Sequence, residues 1–226
     1  GPPIIYVDAD VAGGSGDGSS WANAYNSLWF ALASHPEPAQ FWVTDGTYQP
    51  LPLFPPVRAY RFVVGPGQEL YGGFAGNETS LDQRGTGRST LSGERAAAGP
   101  EDNFYNVLTV NLAGDQAAVI DGFNITAGYD ERPTSSGGSA GGIVITGGKP
   151  LFRHIGVEKN WGQHGGGIHI AGGAPAFHDL FMHWNTRLSL TDTLGGISAA
   201  AGNVTIEDAS LLGGPPAMEG TVVDFD

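Results

Sequence analysis

The chain has 226 residues, a formal net charge of −13, 37 glycines and no cysteine. Its length suits one domain, on a prior of roughly 100–200 residues per domain, and glycine at about twice its ordinary share of ~7% argues for short strands parted by tight turns rather than long helices. The acidic balance disfavours nucleic acid and anionic membrane surfaces as partners, no run approaches the ~18 apolar residues of a membrane-inserted helix, and the lack of cysteine removes disulfides, thiol nucleophiles and cysteine-held metals.

Residues 1–35 read as an N-terminal strand, an Asp/Gly loop and a capping helix. The sequence opens at Gly1 without Met or a charged-then-apolar leader, so a secreted protein is expected here in its mature form. Asp8, Asp10 and Asp17 lie in the glycine-rich loop. Such a loop can supply the oxygen ligands of Ca²⁺, and these three are the candidate metal ligands. The alternative is an ordinary turn whose carboxylates bond backbone amides. The stretch after the loop places Trp21, Tyr25, Leu28 and Leu32 on one face at helical spacing, with Ser19 or Ser20 as N-cap and Pro36 as terminator. An amphipathic helix over Ser20–Leu32 is expected, covering the first coil of a strand-rich chain.

Residues 36–130 carry strand signals without a clear period: Phe41-Trp42-Val43, Tyr60 to Val64, Glu69-Leu70-Tyr71 and Val107 to Val110. Irregular coils are expected there. Residues 131–226 are periodic. Gly141-Gly142-Ile143-Val144-Ile145, Pro150 and Asn160 recur 25 residues later as Gly166-Gly167-Ile168-His169-Ile170, Pro175 and Asn185. A third copy, offset by 29, runs Gly195-Gly196-Ile197-Ser198-Ala199 with Val204 in the proline slot and Gly214 in the asparagine slot. A degenerate copy lies upstream, where Val119 to Ile125 matches Leu151 to Val157 at an offset of 32.

A constant strand core with loops of varying length is the mark of a solenoid whose inward side chains stack rung on rung. Ile143, Ile168 and Ile197 should then stack, as should Ile155 with Leu180, and Val157 with Met182 and Leu211. The same register sets His154 beside Asp179, His169 beside Val144 and Ser198, and Arg153, His178 and Glu207 in one column. The C-terminal Thr221-Val222-Val223-Asp224-Phe225 alternates enough to act as a strand added to a neighbouring subunit, so Thr221, Val222, Val223 and Phe225 are the candidate assembly residues; the alternatives are a tail that folds back over its own last coil, or a chain that is a fragment of a longer solenoid.

Six segments in this order, YVDADVAGGSGDGSSWANAYNSL at 6–28, FWVTDGTY at 41–48, LYGGFAGNETSLDQR at 70–84, TLSGE at 90–94, VIDGFNITAG at 119–128 and the GGI repeats, resemble secreted bacterial right-handed parallel β-helix repeat proteins. That group is pectin-lyase-like in fold and includes relatives of the polymorphic outer-membrane adhesins. The resemblance covers nearly the whole chain and implies one all-β domain, a right-handed parallel β-helix over 1–226 with a short N-terminal capping helix. Family repeats usually carry an Asn-Cys pair in the second strand. Here His154, Asp179 and Asp208 hold the asparagine slot, and Ile155, Leu180 and Ala209 the cysteine slot.

The same solenoid carries lyases, hydrolases, adhesins and structural proteins, so fold alone does not choose among them. Lyase chemistry needs a base beside calcium-holding carboxylates, and glycoside hydrolysis needs two carboxylates roughly 5–10 Å apart. The aligned acids Asp179 and Asp208 sit at a turn, with no groove evident. The expectation is therefore a secreted, cell-surface structural or adhesive protein and not an enzyme, associating head to tail with copies of itself. The alternative is a polysaccharide-binding module, lyase or hydrolase. Trp161 and Trp184, with Tyr129 and Tyr105, are the candidate aromatic contacts for sugar rings or for a partner, with cell-surface polysaccharide the candidate ligand; the alternative is that they pack over the glycine-rich turns.

Overall fold

The computed structural model describes residues 1–50, 57–95, 99–188, 193–194, 196–212 and 223–225. Gly195, Gly214, Thr221 and Val222 lie outside them, as do the side chains of Leu211, Val223 and Phe225. The described residues are β structure apart from one α-helix, Leu28–Ser34, and four single turns of 3-10 helix. No helix among them is long and apolar enough to cross a membrane.

Three sheets are formed. The first runs through Ile4–Val7, Gln40–Thr44, Glu69–Phe74, Ala117–Thr126, Lys149–Glu158, Ala176–His183 and Thr205–Leu212, with Thr47–Tyr48 and Ser89–Ser92 joined at its side. The second orders Phe62–Val64, Leu108–Val110, Ile143–Ile145, Ile168–Ile170, Ile197–Ala199 and Val223–Phe225. The third, of two-residue strands, comprises Tyr129–Asp130, Trp161–Gly162, Thr186–Arg187 and Thr193–Leu194. Only the last pairing is antiparallel. From Lys149–Glu158 the chain visits the third sheet at Trp161–Gly162 and the second at Ile168–Ile170, then returns to the first at Ala176–His183.

The register is the one the repeat offsets require. Leu108, Ile143, Ile168 and Ile197 are successive partners, and all four are buried. In the first sheet Ile155 pairs with Leu180 and Val157 with Met182, again all buried. Leu211 pairs with Met182 through its backbone. The Phe152 and Phe177 rings stack at 4.6 Å and 11°. Each such side chain removed from water contributes about 1.5–3 kcal/mol. The segments without a clear period pair in parallel, Phe41 with Ile5 and Leu70 and Phe62 with Leu108, with a shift of register between Trp42 and Thr44.

Two local devices make the rungs stack. A Cβ on Gly142 would lie 2.3 Å from the Gly167 carbonyl oxygen, the close approach that lets the Ile143 N–H reach that oxygen at 2.8 Å. The Gly-Gly before Ile143 and before Ile168 is thus a packing requirement. The second device is a left-handed residue inside each long strand: Gly122 at φ 83, His154 at 51, Asp179 at 57 and Asp208 at 54. This corner explains why the buried positions run Phe152, Ile155, Val157 rather than alternating strictly. His, Asp and Asn tolerate the left-handed region better than other non-glycine residues, so His154, Asp179 and Asp208 fill an asparagine slot for a conformational reason.

The capping helix is shorter than the spacing predicts. Ser20 caps only a 3-10 turn, Trp21–Asn23, and the α-helix starts at Leu28 with the Ser27 hydroxyl accepting from the Phe30 N–H. Between them Tyr25 forms a parallel bridge with Val7, its N–H donating to the Tyr6 carbonyl at 2.9 Å. Pairing with the first strand overrides the helical pattern. Leu28, Ala31 and Leu32 do join the core, against the strands Ile4–Val7 and Phe62–Val64. Trp21 is half-buried against Tyr6 and Phe74 instead of lying on the helix.

The strand Val223–Phe225 takes the alternative course, back onto its own chain. It pairs in parallel with Ile197–Ala199 of its own chain, Val223 opposite Ile197 and Phe225 opposite Ala199. The tail therefore extends its own second sheet.

Candidate functional site

Aligned polar side chains form columns along the stack. The asparagine column is buried: Asn160 and Asn185 are 0% and 5% exposed. Asn160 Nδ2 donates to the carbonyls of Ile125 and Glu158 and to Asn185 Oδ1, each at 3.0 Å, and its Oδ1 accepts from Gly128 at 2.9 Å. Asn185 Nδ2 donates to the Val157 carbonyl at 2.8 Å.

The histidine columns lie at the surface, with half-buried histidines and exposed acids. His154 Nδ1 meets the Asp179 carboxylate, and its Nε2 donates to the Thr86 carbonyl at 2.9 Å. Arg88 Nε donates to the His154 carbonyl at 3.1 Å. His178 Nδ1 lies 2.9 Å from Glu207 in the next rung. Surface pairs of this kind contribute about 0–1 kcal/mol each. Asp179 and Asp208, the acids aligned for a carboxylate pair, stand at the left-handed corner and are exposed.

Asp8 and Asp17 hold their own loop. Asp8 Oδ1 accepts from the Asp10 N–H at 3.0 Å and the Thr44 hydroxyl at 3.1 Å. Asp17 Oδ1 accepts from the Ser19 N–H at 2.9 Å, and its bonds to Ser19 hold its pKa below the ordinary value. Thr44 in turn meets the Tyr48 hydroxyl at 2.8 Å, and burial pushes the Tyr48 pKa up to about 12. Among the described residues no three His, Asp or Glu side chains are gathered as a metal group, and Asp8, Asp10 and Asp17 are not brought together as one.

The aromatic candidates part company. Trp161 is half-buried in the third sheet, paired in register with Tyr129 and Thr186, and its ring lies 6.1 Å from that of Tyr129. Trp184 is 42% exposed and stacks on His183 at 4.6 Å, with Lys159 Nζ 5.8 Å above its ring. Tyr105 is held between the guanidinium groups of Arg58 and Arg132, at 4.3 and 4.1 Å. Those arginines are anchored in turn: Arg58 to Glu131 at 2.6 Å, and Arg132 to the fully buried Asp130 at 2.8 Å. Burial opposes the charge on Arg58, yet Glu131 keeps its pKa above the usual arginine value. Of the four aromatics, Tyr129 and Trp161 are neighbours with their rings tilted by 48°, and Trp184 and Tyr105 are engaged elsewhere.

Trp161 lines a cleft of about 410 Å³. Ser92, Glu94, Gly99, Pro100, Asn103, Thr126, Ala127 and Lys159 line it with the tryptophan. Ala127 and Lys159 occupy one column of left-handed residues, at φ 62 and 53, continued by Trp184 at 53. The cleft is lined by that column at two rungs, through Ala127 and Lys159. Ser92, Glu94 and Asn103 are not legible as site residues from sequence, because they come from a segment outside the repeats. The column of Ala127, Lys159 and Trp184 was legible, since it follows the offsets 32 and 25.

Comparison of the chain with protein-family models, with curated proteins and with solved structures gave no match.

Proposed function

We propose that this chain is a right-handed parallel β-helix that serves outside the cell as a structural or adhesive surface protein, associating head to tail through the ends of its sheets. The observation that carries the reading is how the aligned polar side chains are used. Asn160 with Asn185, His154 with Asp179, and His178 with Glu207 bond rung to rung and do not converge on a reacting centre. Function then lies in the regular stack itself, as in solenoids that present long surfaces. The sequence resemblance to secreted β-helix repeat proteins supports the same reading.

The two ends of the stack differ. At one, the Leu28–Ser34 helix packs on Ile4–Val7 and Phe62–Val64. At the other, among the described residues, the first and second sheets end in Thr205–Leu212 and Val223–Phe225, with Ala209 and Ser210 exposed. An edge strand is a template for further pairing, and a heterologous contact of end to end propagates unless the rotation closes it. Light scattering and electron microscopy of the purified chain test this. Concentration-dependent oligomers or filaments, lost on deletion of residues 217–226, are expected. A monomer at every concentration overturns head-to-tail association.

A further inference from the structure

We infer that the outer face of the Leu28–Ser34 helix and the groove beside it form the surface onto which the open end of a second copy of this chain docks, an inference that rests on the head-to-tail reading and names its two faces. The helix, LWFALAS, carries no charged side chain. A helix that is apolar all round belongs inside a core, yet only Leu28, Ala31 and Leu32 are buried, while Phe30 is 46% exposed and Ala33 is exposed. Among the described residues four large apolar side chains stay exposed, Phe30, Val57, Val63 and Trp184, and the first three belong to this end. Val63 is on the strand that ends the second sheet, and Val57 opens the turn to Tyr60, whose ring meets that of Trp29 at 5.8 Å. Trp29, Leu32, Ala33, Pro36, Arg61 and Val63 are among the residues lining a groove of about 270 Å³. Exposed apolar side chains gathered at one place mark an interaction surface.

The other end of the stack offers the complement. Ile120, Phe152 and Phe177 form one column of the first sheet and Phe123, Ile155 and Leu180 another, all of them buried. The last strand continues these columns with Ile206 and Ala209. There Ile206 is half-buried and Ala209 exposed, so core positions of the earlier rungs are uncovered in this one. The helix of a second copy, laid over them, stands between two cores with an apolar face on each. Charge selects which ends meet. Arg61 Nη1 donates to the Ala59 carbonyl at 3.2 Å, and Arg61 meets no carboxylate among the described residues. The register of the second sheet runs Val63, Thr109, Val144, His169, Ser198, Asp224. Copies stacked with their sheets in line place Asp224 of one in the column of Val63 of the next, two residues from Arg61, and opposite charges then favour the contact. Two helix faces set against each other would bring Arg61 toward Arg61, so the contact is heterologous.

Sedimentation velocity of the full chain over a range of concentrations, with a variant at each end, tests the contact. Phe30→Asp alters the helix face and Ala209→Asp the open end, both at exposed residues. Each variant alone should weaken association about tenfold or more. An equimolar mixture of the two should form dimers that grow no further, because one intact face of each kind remains per pair. Arg61→Glu and Asp224→Arg should each weaken association about tenfold, and together in one chain restore it. Should Phe30→Asp lose its native circular dichroism, Ala33→Asp on the same outer face replaces it. A parent that is monomeric at every concentration overturns head-to-tail association and this contact with it. Oligomers as strong in folded Phe30→Asp as in the parent overturn this contact and leave head-to-tail association to other surfaces. Loss with Phe30→Asp but not with Ala209→Asp means that like faces meet, and overturns both. A double charge variant as weak as the single ones overturns the contact as drawn.

Discussion

The Asn160 side-chain amide donates to Asn185 Oδ1 at 3.0 Å, and the Asn160 backbone N–H shares the same oxygen at 3.2 Å. One side-chain oxygen of the upper rung thus satisfies two buried donors of the lower one. Removing a buried partner leaves its mates desolvated, at about 1–3 kcal/mol per unsatisfied group. Asn160→Ala is expected to lower the stability from urea unfolding by about 2–4 kcal/mol. The double variant with Asn185→Ala should cost less than the two single losses added, because the pair shares bonds. Strict additivity would show that the column does not act as a unit.

Glu78 is 6% exposed and accepts the N–H groups of Ala75, Gly76 and Asn77 at 2.6, 2.9 and 3.0 Å. Burial alone would raise its pKa, but these amides hold it below the ordinary glutamate value of 4.5. A carboxyl with a depressed folded pKa stabilises the fold above its unfolded pKa, and that contribution is lost as pH falls through the folded value. Stability should therefore decline as pH drops below about 4.5, and Glu78→Gln should flatten part of that decline while costing about 1–3 kcal/mol at neutral pH. An unaltered pH profile for the variant would count against the assignment.

Leu28 is 1% exposed in the helix that packs on the end strands. Leu28→Ala should cost roughly 2–5 kcal/mol. Phe30, on the opposite side of the same short helix and 46% exposed, should tolerate alanine within about 0.5 kcal/mol. Equal effects of the two substitutions in thermal unfolding would mean that the helix is not docked by its apolar face.

The left-handed corner makes a prediction about shape rather than charge. Asp179→Gly loses an exposed pair with His154 and relieves backbone strain, so its unfolding free energy should stay within about 1 kcal/mol of the parent. Asp179→Val loses the same pair and places a β-branched residue at φ 57, and it should be the less stable of the two by about 1–2 kcal/mol. Similar stabilities for the two would remove the conformational explanation of the slot.

The repeat offsets by themselves determined the register of the inner columns. Spacings of 32, 25 and 29 place Ile143 on Ile168 and Ile197, and His154 on Asp179, because in a stack of parallel strands a constant offset is a constant contact. Tertiary structure alone decided the rest. The helix begins at Leu28 because Tyr25 finds a backbone partner in Val7, a competition that local spacing does not contain. Val223–Phe225 lies on its own chain because Ile197–Ala199 offers it an edge at high local concentration. The Trp161 cleft needs Ser92, Glu94 and Asn103, which lie far upstream of the tryptophan and outside the repeat, and only folding sets them beside it.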